Sequence, residues 1–391
     1  MPTGLAALAA RAYMMLPERL ASRVLPGNVR YDPATLEVAT AAEGPGARLL
    51  VAPVNFAGQG HAWARAVERY TPHARAVSLA YRHAQDGYGF ATDVSLPAPA
   101  YALSRSWHRR QRAAILEGFT HVLAETGRPP AGAPYAGSPE RHLVDLMEGG
   151  VRVAYLAHGT DVRVPSQHAA ANPDSPFSTG DHAQWERQAV ANIALVRELK
   201  IPAFVSTPDL FAFLPEATWL PVVVDAAHWA SAMPVLRRER PVVVHAPSSG
   251  ALKGSDLIDP ELTAMHDAGV IEYRRIRGIP AEGMPEIYRD ADIVLDQFRI
   301  GGYGVAACEA MAAGRIVVGH VSRDVRERVA EETGSALPVV ESRGRDIGRV
   351  IRSILGDRDR YAGIAAAGRA FVADVHDGRR SAHALAGFLA S

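Results

Sequence analysis

From Ala291 to Gly314 the chain reads ADIVLDQFRIGGYGVAACEAMAAG, an apolar strand that runs through a glycine turn directly into a helix of small residues. Residues 292–296 read as a buried strand ending in acid. Gly301, Gly302 and Gly304 let the backbone come close to a ligand. A helix over 305–313 then starts with its unpaired N–H groups and positive dipole end exposed, an arrangement suited to a diphosphate. Glu309 stands alone among Val305, Ala306, Ala307, Cys308, Ala310 and Met311. A carboxylate on so apolar a helix is costly to bury unless something bonds it, and two readings follow: a pair of sugar hydroxyls, or a cap from neighbouring backbone.

The same strand-loop-helix alternation fills the rest of the 391 residues, of which 48% are hydrophobic, enough for two domains. Strands are expected at 48–54, 121–124, 152–156, 203–206, 220–224, 241–245, 270–274, 292–296 and 315–319. Helices are expected at 61–70, 107–118, 140–147, 181–198, 256–268, 284–290 and 305–313, with further helices to the end. In helix 181–198, Trp185, Ala189, Ile193 and Val196 share one face. The reading is an α/β protein of two facing, doubly wound, Rossmann-like parallel-sheet domains, with ligands at the carboxyl ends of the strands. Its segments are an N-terminal helical extension (1–47), a first Rossmann-like domain (48–225), a linker (226–240), a second Rossmann-like domain (241–375) and a C-terminal helix (376–391).

Lysine plus arginine and aspartate plus glutamate both number 42, and no basic strip is present, so nucleic acid is not an expected partner. Cys308 is the single cysteine, which fits a reducing, cytoplasmic setting and excludes a disulfide framework or a cysteine-rich metal site. The apolar run at 5–10 is too short for a signal core or a membrane span. Leu5, Leu8, Ala12, Met15 and Leu20 fall near one helical face, which leaves two placements: packing on the protein's own surface, or peripheral contact with the inner membrane surface.

Four loops carry candidate chemistry. Lys253, in the strand-to-helix loop after His245, can hold a phosphate or be a solvated helix start. His158, Asp161 and Arg163, in HGTDVR after the strand at 152–156, bring an imidazole, a carboxylate and a guanidinium to a strand end; the structural alternative is a capped turn. The loop NFAGQG has Gly58 and Gly60 but no third fingerprint glycine, so a nicotinamide cofactor is disfavoured and an approach to a diphosphate is expected instead. His61 beside it is a candidate for the acceptor pocket, and Trp63 fits either that pocket or the core. Loops at 81–100 and 129–139 are expected to shape the acceptor site.

Taken together, Lys253-Gly254, the ADIVLDQ strand, the GYG and CEAMAAG segment, HGTDVR, VSTPDLFAFLP and TWLPVVVD resemble family 4 of the retaining glycosyltransferases, enzymes of the GT-B fold. The resemblance covers most of the chain after residue 48. It implies that Lys253 contacts the donor diphosphate, Glu309 holds the nucleotide ribose, Tyr303 and Gly304 lie with the phosphates, and His158 sits beside the transferred sugar. The family's second glutamate, eight residues before the ribose-binding one, is replaced by Gly301, and its arginine before the lysine by residues 247–249. Asp296 and Gln297 are candidates for the lost sugar contacts, and Arg163 or Arg299 for the lost cation.

The expected activity is transfer of a hexose-type sugar from a nucleotide-diphosphate donor to an acceptor hydroxyl of a saccharide, lipid-linked sugar or metabolite. It is expected to proceed with retention and without metal, the donor being a co-substrate rather than a cofactor. A nucleotide-sugar 2-epimerase and a non-catalytic nucleotide-sugar-binding subunit are the alternatives.

Overall fold

The computed structural model describes residues 17–27, 30–83, 87–132 and 139–391. The first domain holds a seven-stranded parallel sheet: β1 (Arg48–Ala52), β2 (Arg75–Arg82), β3 (Val94–Pro97), β4 (His121–Glu125), β5 (Arg152–Ala157), β6 (Ala203–Val205) and β7 (Thr218–Trp219), in the order β3-β2-β1-β4-β5-β6-β7. The second holds β8 (Val242–His245), β9 (Glu272–Arg275), β10 (Ile293–Leu295), β11 (Ile316–Gly319) and β12 (Val339–Glu341), in the order β12-β11-β10-β8-β9, again all parallel. The strand order reverses between β1 and β4 and between β8 and β10, where doubly wound sheets open a crevice at their carboxyl ends.

Both faces of each sheet are buried, which is why the strands read as continuous apolar runs. Leu49 and Val51 of β1 enter one core and Leu50 and Ala52 the other. Val242 and Val244 of β8 share the core of Leu49, whereas Val243 turns to a third core with Ile293 and Leu295. The shared core continues through the helices Gln59–Tyr70, Val305–Ala312, Arg358–Val375 and Arg379–Ala390.

Several local expectations change. Residues 75–82 and 94–97 are strands and Ala98–Leu103 is a helix, where the sequence suggested loop over 81–100. β3 ends at Pro97 on the sheet edge, a place where proline's missing N–H costs nothing. The expected strand at 220–224 is not in the ladder, which ends at Trp219. Pro221 has no N–H to offer, and the segment is held by side chains instead: Trp63 and Ser381 donate to the Pro221 carbonyl at 2.8 and 2.7 Å, and Gln59 bonds both the N–H and the carbonyl of Val223. The polar stretch after 164 contains the helix Pro165–Ala171, with proline at its first position. β12 lies where only helices were expected.

Of the N-terminal amphipathic face, Leu5, Leu8, Ala12 and Met15 lie outside the described residues; the helix Glu18–Val24 follows, with Leu20 exposed. Among the described residues no helix is long and apolar enough to cross a membrane.

The chain passes between domains twice. Residues 230–240 are tied under the second sheet, with Leu236 N–H donating to Asp292 at 2.6 Å and the buried Arg315 donating to the Met233 carbonyl at 2.7 Å. At His376 it returns, and Gly378, at φ +97° and pressed against Ala66, turns Arg379–Ala390 onto the first-domain helix Gln59–Tyr70. Phe388 closes that contact against the rings of His121 and Phe204, 5.0 and 6.3 Å away. Phe388→Ala should therefore cost about 3–5 kcal/mol in denaturant unfolding. A loss below about 1 kcal/mol would mean that this helix does not complete the first domain's core.

Candidate functional site

Two cavities meet at Ala57 and Val305, between the carboxyl ends of the two sheets. The first, of about 640 Å³, is walled mainly by the first domain and includes His158, Asp161 and Gly304. The second, of about 280 Å³, is walled mainly by the second domain and includes Lys253, Asp296 and Glu309.

On the first-domain wall the organising group is Glu125, at the end of β4 and with no exposed surface. Its Oε2 accepts from the N–H groups of Val54 and Asn55 at 2.9 and 3.1 Å, and its Oε1 lies 3.0 Å from His158 Nε2. A carboxylate offers only acceptors, so the contact places the proton on Nε2 and leaves Nδ1 as the ring's open nitrogen. Phe56 meets the imidazole edge-on at 5.2 Å and Trp63 tilts against it at 5.6 Å, which fixes its plane. Asn55, Ala57 and Gly58 all have positive φ and swing this loop away from β1.

Asp161 holds the turn that carries His158. Oδ1 accepts from the N–H groups of His158 and Gly159 at 3.0 and 2.6 Å, and Oδ2 from the Tyr155 hydroxyl at 2.9 Å. With three donors its carboxylate is committed to the loop, which makes it a positioning group. Nothing in the sequence distinguished Glu125, because a glutamate ending a strand resembles any capping acid until its partners, 33 and about 70 residues away, are seen.

On the second-domain wall the helix Val305–Ala312 starts at Gly304 with no side-chain cap, and a Cβ placed at Gly304 would meet nothing within 4 Å. Lys253 reaches the wall from the short helix Gly250–Lys253 and donates to the buried Asp296 at 2.7 Å. The Glu309 carboxylate accepts no hydrogen bond from any described residue. Burial, and then the nearby Asp296 carboxylate, raise its pKa to about 8. Arg277 lines the same cavity with no ion pair among the described residues.

The remaining candidates lie elsewhere. Tyr303 is buried, its hydroxyl 3.3 Å from His376 Nε2. Gln297 is buried and ties the glycine turn, donating to the carbonyls of Gly302 and His320 and accepting from the Ile300 N–H at 2.7 Å. Arg163 pairs with Asp209, and Arg299 with Asp256 at 2.7 Å. His61 faces the buried Ser78 of β2 and Asp93, away from both cavities. Gly58 packs on Phe90, and Gly60 lies under Asn55 and Glu125, where a side chain would press on the carboxylate. None of these residues lines either cavity. Gly301 has φ +82° and faces Ser322, Asn172 and His320, so a glutamate in this backbone conformation would be strained. Among the described residues no cluster of three His, Cys, Asp or Glu side chains could hold a metal ion.

No protein-family model and no curated protein matches the chain. Solved structures do. The Anabaena protein HepE, solved with UDP and glucose, has a TM-score of 0.56 at 12% identity, over 89% of this chain and 100% of that one. Sucrose-phosphate synthase from Thermosynechococcus elongatus has a TM-score of 0.55 at 10% identity, over 87% and 97%. A glycosyltransferase from Rickettsia africae has 0.53 at 10%, over 88% and 97%. At these identities the likeness is one of fold, and the fold is GT-B.

Two predictions follow from the two carboxylates. Glu125→Gln puts an amide donor where three donors converge. It should cost about 1–3 kcal/mol and mix the tautomers of His158, read by urea unfolding and by imidazole ¹⁵N shifts; a variant unchanged in both would remove Glu125 as the group that sets the ring. For Glu309 the folded state holds a proton more tightly than the unfolded chain does. Between pH 4.5 and about 8 it therefore binds more protons, and this residue's contribution to stability falls as pH rises. Glu309→Gln should flatten that part of the stability-pH curve, and a wild-type curve already superimposable on the variant's would contradict it.

Proposed function

We propose that the protein is a glycosyltransferase that moves a sugar from a nucleotide-diphosphate donor to an acceptor hydroxyl, with retention and without metal. The observation that carries this reading is the Glu309 carboxylate, which has no donor among the described residues and shares one cavity wall with Lys253 and Arg277, next to an uncapped helix start. A partly buried carboxylate without donors is a site for hydroxyls, and cations beside free amides are a site for phosphate. A nucleoside diphosphate offers both groups in one molecule.

In this reading Glu309 accepts from the ribose hydroxyls, Ile276, Ile279 and Met284 cover the base, and Lys253, Arg277 and the amides after Gly304 meet the diphosphate. His158 presents Nδ1 to a hydroxyl of the sugar being transferred. The bond from the anomeric carbon to the diphosphate breaks with its electron pair, the acceptor oxygen bonds that carbon, and the hydroxyl proton leaves on the diphosphate. Fixed cations and amides at the departing charge lower the barrier because they are oriented before reaction. The likeness to HepE, which was solved with UDP-glucose, supports a uridine donor as the first to try.

Calorimetry with UDP-, GDP-, ADP- and dTDP-glucose should find one preferred base, with turnover unaffected by EDTA. Lys253→Ala should weaken binding by about 2–4 kcal/mol, and mass spectrometry of the products separates transfer from isomerisation. Absence of binding by every sugar nucleotide would end the glycosyltransferase reading; binding with an altered sugar nucleotide as sole product would replace it with an epimerase.

A further inference from the structure

Within the stretch 81–100, which the sequence assigns to the acceptor side, Tyr88 and Phe90 line the second cavity, the one that holds Lys253 and Glu309. With Ala57 they are the first domain's share of a wall otherwise built from residues 229–309.

This short stretch is fastened to both domains. The Tyr88 carbonyl accepts from the Ala281 N–H of the second domain at 2.8 Å. On the first-domain side Asn55 Nδ2 donates to the Ala91 carbonyl at 2.8 Å, and Arg82 donates to the Phe90 carbonyl. Phe90 packs on Gly58: its ring lies 3.3 Å from where a Cβ would stand, at a φ of +74° that favours glycine. Gly58 therefore seats an aromatic side chain, and that side chain lies along the ring of Tyr88, centroids 5.9 Å apart at 26°.

Tyr88 is nevertheless 41% exposed. A ring held in place through its backbone and left open at a cavity is apolar area that a flat ligand can cover. The Ala281 hydrogen bond fixes where in the cavity this ring stands. Ile279 and Met284 are two and three residues from Ala281, and with Ile276 they line the same cavity, each partly buried. A nucleobase has two flat faces to remove from water. Aliphatic side chains can cover one and an aromatic ring the other, and stacking on a ring tolerates any base because every base has a π-face.

We propose that Tyr88 is a donor-binding residue supplied by the first domain, its ring stacking on the nucleobase that Ile276, Ile279 and Met284 cover from the second. The inference rests on the nucleotide reading of this cavity and makes the base slot a joint product of the two domains, joined there by the Tyr88–Ala281 hydrogen bond.

Calorimetry and saturation-transfer NMR test it on wild type, Tyr88→Ala and Tyr88→Phe, with whichever of UDP, GDP, ADP and dTDP the wild type binds most tightly. Tyr88→Ala should weaken nucleotide affinity about tenfold, and saturation transfer to the base protons should fall relative to that at the anomeric ribose proton. Tyr88→Phe keeps the ring and should retain both. Nucleotide affinity unchanged in Tyr88→Ala, an equal loss in Tyr88→Phe, or a loss that leaves the base-to-ribose ratio unaltered would each overturn Tyr88 as the base contact while leaving the donor reading intact. Failure of the wild type to bind any of the four nucleotides would overturn both.

Discussion

Everything in this molecule depends on two parallel sheets being buried on both faces. Once Leu49 and Val51 fill one core and Leu50 and Ala52 another, no sheet face is left to bind anything. Chemistry can only sit at strand ends, and parallel pairing puts all carboxyl ends on one side. Two such edges face each other here, so His158 after β5 and Asp296 after β10 line adjoining cavities although 138 residues (296 − 158) separate them. The shared core below them, with the helices Val305–Ala312 and Arg379–Ala390 in it, sets the spacing of the two edges.

Within that frame the polar groups divide by whether their hydrogen bonds are complete. Glu125 has three contacts and Asp161 three donors; both are spent on geometry, the first on the imidazole and the second on its loop. The Glu309 carboxylate and the Thr126 hydroxyl have no hydrogen-bond partner among the described residues, one in each domain. A buried polar group left unpaired lowers stability, so it persists where something other than the protein completes it. The contrast between satisfied and unsatisfied groups assigns scaffold and ligand contact more sharply than residue type does, since both sets contain glutamate.

That contrast also explains what the sequence made legible. Parallel α/β architecture follows from apolar runs between glycine turns, and the turn at 301–304 with Glu309, Lys253 and His158 follows from residues standing at strand ends. Glu125 was invisible because its meaning lies in partners far along the chain. Trp185 was readable only as the first member of an apolar helix face; burial of Ala189 with exposure of Trp185 is decided by where the cavity cuts that helix. The strand assigned to 220–224 failed because Pro221 takes its bonds through its carbonyl, from Trp63 and Ser381, and not through a ladder. Tyr303 and Gln297 sit within the most informative motif, yet their side chains turn inward to hold it.

The inward turn of Tyr303 bears on how the cleft is held. Its hydroxyl approaches His376 Nε2, while His376 Nδ1 lies 2.8 Å from the Val222 carbonyl and the His376 carbonyl accepts from Val224 N–H at 2.8 Å. One side chain thus links the glycine turn before Val305, the end of the first domain and the returning C-terminal segment. Burial lowers its pKa to about 4, so the ring is neutral at physiological pH and this junction is insensitive to pH changes around neutrality. At the other edge of the cleft, Asn172 donates to the Arg299 carbonyl at 2.7 Å and Arg343 pairs with Asp174 at 2.6 Å, both partly exposed. Partly exposed pairs are weaker than a buried, fully bonded junction. The His376 junction is therefore a stronger tie between the domains than the Asn172 and Arg343 contacts at the opposite edge.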